Sequence, residues 1–299
     1  MKKTVGIIGL GEMGEGIAIN IQKAGFPLVV YDLNPEPIRR IVALGASPAK
    51  NINDLLKSCS WIFLVLPNTD VVKDVLLGNN GLVSNLGKDH IVIDCGTTHP
   101  IDTKNFCLEV QKRKAYFLDA PVSGMKVRAH SGSLTIMVGG NEFAYENVLP
   151  VLESFGNKIN YLGKSGSGQL MKALNNVLFN ISIAAMSEIL PLSVKLGLSP
   201  EIVSEVVSTA SGQSFGFDKF SELAISRNFQ DGYSMESARK DMDTVLEFAN
   251  ILQISLPLVN ATMQTYEEAL RKGYGSGNKA SMIKIWEEKL DVLVKSAGV

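Results

Sequence analysis

The sequence predicts an α/β protein in which a doubly wound parallel sheet is followed by one long helix and an all-helical region. Its length of 299 residues suits two domains of ~150 residues each. Between residues 4 and 163, short β-type runs alternate with stretches of helical period, as in parallel sheets covered by helices. Beyond residue 163 only helical periods occur. We therefore predict domains at residues 1–163 and 164–299.

Seven β-type runs make up the predicted sheet, and most are rich in Val, Ile, Leu, Phe or Tyr. They are Thr4–Ile8, Leu28–Tyr31, Trp61–Leu66, His90–Asp94, Tyr116–Leu118, Leu134–Val138 and Ile159–Leu162. Between the first two runs, apolar residues recur at helical spacing up to Gly25, which stands where a left-handed cap ends a helix. The chain is therefore predicted to begin with a βαβ unit.

The helical half begins with an apolar stretch from Ser167 to Leu196, which predicts a helix about 40 Å long. Pro191 lies inside this stretch and should kink or divide the helix. Ser199 is predicted to cap the next helix, with Pro200 at its first position. Further helices are predicted around the apolar stripe Met242, Val245, Leu246 and Ala249, and at about 260–272 and 282–296.

The composition indicates an ordinary folded protein, with 45% hydrophobic and 20% charged residues. Lys and Arg number 29 against 30 Asp and Glu, so there is no cationic excess to bind nucleic acid or an anionic membrane. The longest apolar region is interrupted by polar residues from Asn175 to Lys195, which argues against a membrane span.

The three cysteines, Cys59, Cys95 and Cys107, have neither the spacing of a redox pair nor the clustering of a zinc site. No two of the three histidines have metal-ligand spacing either. We therefore expect a cytoplasmic protein without a bound metal.

The run Gly9-Leu10-Gly11-Glu12-Met13-Gly14 follows the first predicted strand and opens a predicted helix. Gly9 permits a tight turn, Gly11 lets the backbone approach a pyrophosphate, and Gly14 allows the helix to pack on the strand. An isolated GxGxxG is a weak signal, but this context makes it strong. The run predicts a Rossmann-type dinucleotide site.

Asp32 ends the second predicted strand, 18 residues after Gly14. Its carboxylate would accept hydrogen bonds from ribose hydroxyls and repel a 2′-phosphate. This favours NAD as the cofactor. Arg39 and Arg40 lie within a turn or two, however, and leave NADP possible.

Two further runs are Asp119-Ala120-Pro121-Val122-Ser123-Gly124 and the segment from Gly166 to Asn176. Together with the glycine run and Lys240-Asp241, they resemble the β-hydroxyacid dehydrogenase family. The motifs occur in the family's order and span nearly the whole chain. The resemblance implies an NAD-dependent oxidoreductase of a small, anionic, 3-hydroxyisobutyrate-like β-hydroxy acid. The long helix carries apolar residues on more than one face, which a sheet domain alone cannot cover, and this predicts a homodimer or homotetramer.

The resemblance also assigns roles to individual residues. Lys172 matches the family's catalytic lysine, and Asn176, one helical turn later, matches the asparagine that orients substrate or lysine. Ser123 and Gly124 match the loop that binds the substrate carboxylate, with Met125 beside them. The remaining matches concern the cofactor: Thr97 and Lys240 at the nicotinamide, and Leu66 and Pro67 at the adenosine ribose.

The reaction explains why a lysine is needed. Oxidation of an alcohol removes its hydroxyl proton while a hydride leaves, so one group must exchange a proton near neutral pH. Burial and a neighbouring positive nicotinamide ring would lower the pKa of Lys172 and suit it to this task. Without that context, a lysine on a helix is usually solvated.

Two departures from the family pattern leave alternatives open. Relatives often have a second glycine where this chain has Met125, which is followed by Lys126 and Arg128. These cations would select a semialdehyde with a second anion, such as a sulfonate or dicarboxylate, or would form a solvated basic loop. The second departure is the run from Gly275 to Ser281, where relatives often carry acidic residues before the serine that caps the last helix. A non-catalytic dinucleotide-binding scaffold is a further alternative, disfavoured by the presence of Lys172.

Overall fold

The computed structural model describes residues 2–230 and 234–296. Residue contacts divide the chain into two compact units, Met1–Lys172 and Ala173–Val299. The predicted boundary after residue 163 falls just beyond the last strand, whereas the division between contact units falls nine residues later, inside the long helix.

The first unit contains one sheet in the described part of the chain. Its strands are β1 (Val5–Ile8), β2 (Leu28–Tyr31), β3 (Ser47–Pro48), β4 (Trp61–Leu64), β5 (Ile91–Asp94), β6 (Tyr116–Asp119), β7 (Val122–Ser123), β8 (Leu134–Gly140) and β9 (Gly156–Tyr161). The strand order is β3-β2-β1-β4-β5-β6-β8-β7, with β9 paired to β8. The strands from β3 to β6 pair in parallel, and β8 is antiparallel to β6 and β7. This confirms the predicted doubly wound α/β fold.

Helices cover this sheet on both faces. They are α1 (Glu12–Lys23), α2 (Pro35–Val42), α3 (Ile52–Ser58), α4 (Thr69–Leu77), α5 (Pro100–Gln111), α6 (Met125–Ser131) and α7 (Glu142–Phe155). Four of them begin after an asparagine whose side chain accepts a backbone N–H bond of the first turn, namely Asn34, Asn51, Asn68 and Asn141. Helix α1 begins instead after Gly11, which has no side chain to cap it.

The second unit is helical. Helix α8 (Ser167–Lys195) leads into it and is followed by α9 (Pro200–Thr209), α10 (Phe215–Ile225), α11 (Met235–Ile251), α12 (Pro257–Arg271) and α13 (Ile283–Leu290). Ser199 caps α9 as predicted, because its hydroxyl accepts the Ile202 N–H. The sequence did not predict the β3 and β7 strands or helix α10.

Two details of the predicted helices differ in the structure. Pro191 does not divide α8, which continues to Lys195, whereas a kink at this residue stays a prediction. Pro191 and the preceding Leu190 are buried, so packing holds the helix across the single missing N–H. Helix α13 ends at Leu290 and not near 296, because the next residue, Asp291, has left-handed backbone with φ of 50°.

Helix α8 is the one described helix that is long and apolar enough to cross a membrane by length and composition alone. Its most apolar 18-residue window has a mean hydropathy of 1.7, and half of that window is buried within the protein. Core helices of globular proteins have the same properties. In the second unit, its buried face includes Val177, Ile183 and Leu190 and contributes to the helical core.

Candidate active site

The loop after β1 has room for a ligand at one glycine and none at the other two. A Cβ atom on Gly9 would lie 2.3 Å from the Val65 carbonyl oxygen, and φ there is +97°. A Cβ on Gly14 would lie 2.1 Å from the Gly9 carbonyl oxygen. Around Gly11, nothing lies within 4 Å of the corresponding position. The loop is therefore packed against the sheet on one side and open at Gly11.

The first turn of α1 presents backbone donors at this opening, since no side chain caps the helix. Glu12 is exposed there and Met13 packs against the core. Asp32 stabilises the loop: one carboxylate oxygen accepts the Leu10 N–H at 2.5 Å and the other accepts the Asn34 N–H at 2.7 Å. Each oxygen keeps lone pairs for a ribose hydroxyl. The residues therefore fit a dinucleotide.

The two arginines near Asp32 already have partners. Arg40 makes a bidentate ion pair with Glu15, at 2.6 and 2.8 Å, and Arg39 pairs with Glu36 at 2.5 Å. The hydrogen bond from Arg40 lowers the pKa of Glu15. Both guanidinium groups are thus engaged by carboxylates and are not preorganised to bind the 2′-phosphate of NADP.

Two further loops adjoin the glycine loop at the carboxyl edge of the sheet. The Leu66 side chain lies 3.2 Å from where a Gly9 Cβ would be, and a Gly96 Cβ would lie 2.8 Å from the Leu66 carbonyl oxygen. Pro67 and Thr97 are exposed on these loops. The structure thus places the predicted cofactor residues that follow β1, β4 and β5 side by side. Their contacts with NAD remain predictions.

Two buried aspartates, which the sequence analysis did not identify as site residues, end the strands β5 and β6. Asp119 accepts the backbone N–H groups of Gly166 at 2.8 Å and Gln169 at 3.0 Å, and so holds the start of α8. Asp94 accepts the Gly96 N–H at 3.0 Å and the Thr98 hydroxyl at 2.6 Å. Both side chains are fully buried. In the sequence, the only indication of these two residues is that an aspartate ends each of two apolar strands.

The pKa of Asp94 is raised to about 6, mainly by burial and to a smaller extent by the charge of Asp119, while hydrogen bonds from Thr98, Gly96 and Gln169 oppose the rise. Burial also raises the pKa of Asp119, although backbone N–H groups of α8 oppose this shift. The edge of the sheet therefore carries a carboxyl group that titrates near physiological pH.

We expect the pH dependence of stability to change in Asp94→Asn. Between the unfolded pKa of 3.8 and the folded pKa of about 6, the native state holds a proton that the unfolded state has lost. The free energy of unfolding should therefore fall by about 3 kcal/mol as pH rises through this window and level off above it. In urea unfolding at several pH values, the loss should be smaller in the variant than in the wild-type protein by about this amount, because Asp119 still contributes in both. Parallel curves would contradict the assignment.

The substrate loop predicted at Ser123 and Gly124 is partly regular structure. Val122 and Ser123 form the short strand β7 against β8, and α6 begins immediately at Met125. Strand pairing with β8 supplies the backbone partners that a free loop would lack. Gly124 has φ of +143°, and a Cβ there would lie 2.7 Å from two carbons of Arg128. Met125 has φ of 60°, in the left-handed region that glycine adopts without strain and other residues rarely adopt.

Helix α6 is fixed to α1. The Asn20 amide donates to the carbonyl oxygens of Ala129 at 2.8 Å and His130 at 3.1 Å, at the end of α6. Gly16 permits this approach, because a Cβ there would lie 2.7 Å from the Ala129 backbone. The helix that starts at the glycine loop thus also positions the segment that follows Ser123.

Lys172 and Asn176 are one turn apart in α8. Lys172 is half-buried. Asn176 is 7% exposed and donates to the buried carboxylate of Asp241 at 3.0 Å. Lys240, the residue before Asp241 in α11, is exposed. The structure thus gives Asn176 a fixed orientation, while the contacts of Lys240 with a cofactor remain a prediction.

The run from Gly275 to Ser281, which departs from the family pattern, buries a lysine in the helical unit. Lys279 is fully buried, donates to the Asn180 side chain at 2.5 Å and lies 4.6 Å from the centre of the Phe179 ring. Asn180 in turn donates to the Ala238 carbonyl oxygen at 3.2 Å. No local pattern in the sequence predicts that this lysine is buried.

The glycine loop, the acidic end of β2 and the helical second unit define a class of protein, the Rossmann-type NAD(P)-dependent oxidoreductases. Two family models cover the chain. The NAD-binding domain of 6-phosphogluconate dehydrogenase matches residues 4–163, and the NAD-binding domain of NADP-dependent 3-hydroxyisobutyrate dehydrogenase matches residues 166–286.

Relatives resemble the chain over almost its whole length. The 2-(hydroxymethyl)glutarate dehydrogenase of Eubacterium barkeri is 33% identical over 97% of both chains. The 2-hydroxy-3-oxopropionate reductase of Escherichia coli is 31% identical over 95% of this chain and 97% of its own. The crystal structure of 3-hydroxyisobutyrate dehydrogenase from Salmonella typhimurium matches with a TM-score of 0.87 and 27% identity, over 95% of this chain and 100% of its own.

The chain belongs to the β-hydroxyacid dehydrogenase family. It is therefore an oxidoreductase that binds NAD(P), as the sequence predicted. The scaffold alternative, which has no catalytic activity, is set aside.

Proposed function

We propose that this enzyme uses NAD to interconvert a small, 3-hydroxyisobutyrate-like β-hydroxy acid and its aldehyde or ketone. The observation that carries the proposal is the position of Lys172 at the start of α8. This part of the helix is anchored by Asp119 at the sheet edge that also carries the glycine loop. An amine at the same edge of the sheet as a dinucleotide loop is suited to proton exchange with an alcohol.

In the proposed reaction one residue transfers a proton, and the others bind and orient the substrate. Bound NAD supplies the hydride acceptor, and its reduced form supplies the donor. The Lys172 amine takes the hydroxyl proton in oxidation and returns it in reduction. The Ser123 hydroxyl and the Gly124 N–H donate to the substrate carboxylate, and Asn176, oriented by Asp241, holds the reacting end. These catalytic and binding roles belong to the proposal.

The names of the three relatives support this choice of substrate. Hydroxymethylglutarate, 2-hydroxy-3-oxopropionate and 3-hydroxyisobutyrate all carry the reacting oxygen on the carbon β to a carboxylate. An anion anchor at Ser123 and an amine at Lys172 suit such a molecule, because both of its ends are then fixed.

The test is an NADH absorbance assay with 3-hydroxyisobutyrate, D-glycerate, 4-hydroxybutyrate, sulfolactate and 2-(hydroxymethyl)glutarate compared side by side. The proposal expects the highest kcat/KM with an acid that carries a β-hydroxyl group. Activity confined to uncharged alcohols would overturn the anion-anchoring model.

A second candidate is a semialdehyde of the tartronate, succinic or sulfolactaldehyde type, with preference for a molecule that carries a second anion. It is favoured by the exposed Lys126 and Arg128 on α6, since the Arg128 stem lies over Gly124 beside the proposed carboxylate anchor. In the same assay, a higher kcat/KM for substrates with two anions would select this candidate.

We expect Asp32 to select NAD over NADP by roughly 10-fold or more in kcat/KM, because its carboxylate repels a 2′-phosphate and the nearby arginines are paired. Asp32→Ala should reduce this preference. Glu36→Gln keeps the Asp32 carboxylate and frees Arg39, so it measures how much of the preference depends on the pairing of that arginine. A wild-type enzyme more efficient with NADP would refute this prediction.

We also propose a cytoplasmic homodimer or homotetramer that acts on small molecules and binds neither nucleic acid nor membrane. Apolar side chains on α8, on the turn after it and on α9 in the second unit are exposed, including Leu174, Leu178, Ile189, Leu192, Leu196, Ile202 and Val206. A second copy of the chain would cover them. Light scattering should give a mass of two or four times 32.3 kDa. All three cysteines are free and buried, which suits a reducing compartment.

A further inference from the structure

We propose that Gln169 is a positioning residue for Lys172, holding the first turn of α8 against the backbone on both sides of Thr97. The inference rests on the proposed function, because it concerns how the proton-transfer amine is kept in place. The Gln169 amide does not itself react or exchange a proton with the substrate.

The side-chain amide of Gln169 binds the loop after β5 at two points. Its oxygen accepts the Thr98 N–H at 3.0 Å, and its nitrogen donates to the Gly96 carbonyl oxygen at 2.9 Å. These two groups flank Thr97, whose own side chain is exposed. The amide therefore pairs with the loop as a neighbouring strand would and leaves Thr97 projecting from it.

The main chain of Gln169 is fixed as well. Its N–H donates to Asp119 at 3.0 Å, at the end of β6. The Gln169 side chain is 1% exposed, and its nitrogen lies 3.4 Å from a carboxylate oxygen of Asp94, at the end of β5. One residue thus connects the helix to the ends of two adjacent strands and to the loop after one of them.

Lys172 follows three residues later in the same helix, so it occupies the neighbouring position on the same side, one turn along. A helix turn that rotates or frays would move the amine by more than an ångström, and misplacement on this scale lowers catalytic rates strongly. The Gly168 position shows how little room the turn has, because a Cβ there would lie 2.3 Å from the Met137 carbonyl oxygen.

The test compares Gln169→Met, which keeps the length and removes both amide bonds, with Ser187→Ala. Ser187 is buried in the same helix and donates one hydrogen bond, to the Ile183 carbonyl oxygen. In the protein without nucleotide, amide hydrogen exchange at Thr98 should be at least ~10-fold faster in Gln169→Met and unchanged in Ser187→Ala. In the assay, kcat should fall by ~10–100-fold in Gln169→Met, with KM changed less than ~3-fold.

Gln169→Glu supplies a second, nearly isosteric variant in case Gln169→Met fails to fold. Its ionised carboxylate cannot donate to the Gly96 carbonyl and would face Asp94. The deficit in kcat relative to wild type should therefore shrink as pH falls and the introduced carboxyl group regains a proton. A kcat deficit independent of pH would contradict the inference.

Lys172→Ala, measured in parallel, separates the two proposals. If Lys172→Ala is inactive and a folded Gln169→Met turns over like the wild type, the positioning role is overturned and the proposed function stands. If Lys172→Ala turns over like the wild type, the proton-transfer role of Lys172 fails, and the substrate panel alone decides the proposed substrate class. The Thr98 exchange rate then still reports whether Gln169 holds the loop.

Discussion

Replacement of Lys172 by alanine is expected to lower kcat by ~10²–10⁴-fold, while the protein still folds and binds NADH. The reason is chemical: the substrate hydroxyl must lose its proton as the hydride leaves, and no other amine lies in the first two turns of α8. Steady-state kinetics and NADH fluorescence titration would separate the loss of turnover from any loss of binding.

The matched control is Lys195→Ala, which removes an exposed lysine from the last turn of the same helix. Its turnover should be that of the wild type. Near-normal kcat in Lys172→Ala would show that proton exchange takes place elsewhere, for example through water.

The second large effect is expected at the glycine loop, where Gly14→Ala should raise the Kd for NADH by ~100-fold or more and destabilise the first unit. The added methyl group would lie 2.1 Å from the Gly9 carbonyl oxygen, so the loop backbone has to move. Overpacking of this kind costs ~1–3 kcal/mol, and occasionally more, in folding free energy.

Gly11→Ala provides the informative contrast. Nothing lies within 4 Å of the new Cβ, so the thermal stability of the protein without nucleotide should be unchanged. The methyl group would nevertheless occupy the space into which a pyrophosphate fits, and NADH affinity should fall by ~10-fold. Calorimetry with and without NADH measures both quantities. Unchanged affinity in Gly11→Ala would place the pyrophosphate elsewhere.

The sequence predicted the features that depend on local pattern. Alternating β-type runs and helical periods gave the fold class, and the glycine spacing with Asp32 gave the dinucleotide loop. The cap at Ser199 was also predictable, because a short polar side chain before a proline satisfies the first turn by itself.

Features that depend on tertiary contacts were not predictable in the same way. Asp94 and Gln169 lie 75 positions apart in the chain, and no local spacing indicates that their side chains approach each other. The two-residue strands at Ser47 and Val122 exist only because neighbouring strands supply hydrogen-bond partners. Pro191 is tolerated because it and the preceding Leu190 are buried. The departure at Met125 was visible in the sequence, but its left-handed backbone was not.

The boundaries of α6 have a consequence for how this enzyme could acquire new substrates. Glycines with positive φ flank the helix, Gly124 at +143° and Gly132 at +69°, and the helix attaches to α1 through Ala129 and the Asn20 amide. The seven residues between the two glycines can therefore be substituted together without changing the strands on either side. Provided that a small residue remains at Ala129, the outward residues of this segment are free to diverge while the nucleotide-binding framework stays the same. Under the proposed function, in which Ser123 and Gly124 anchor the substrate, selection or design can act on this one heptapeptide to change substrate range.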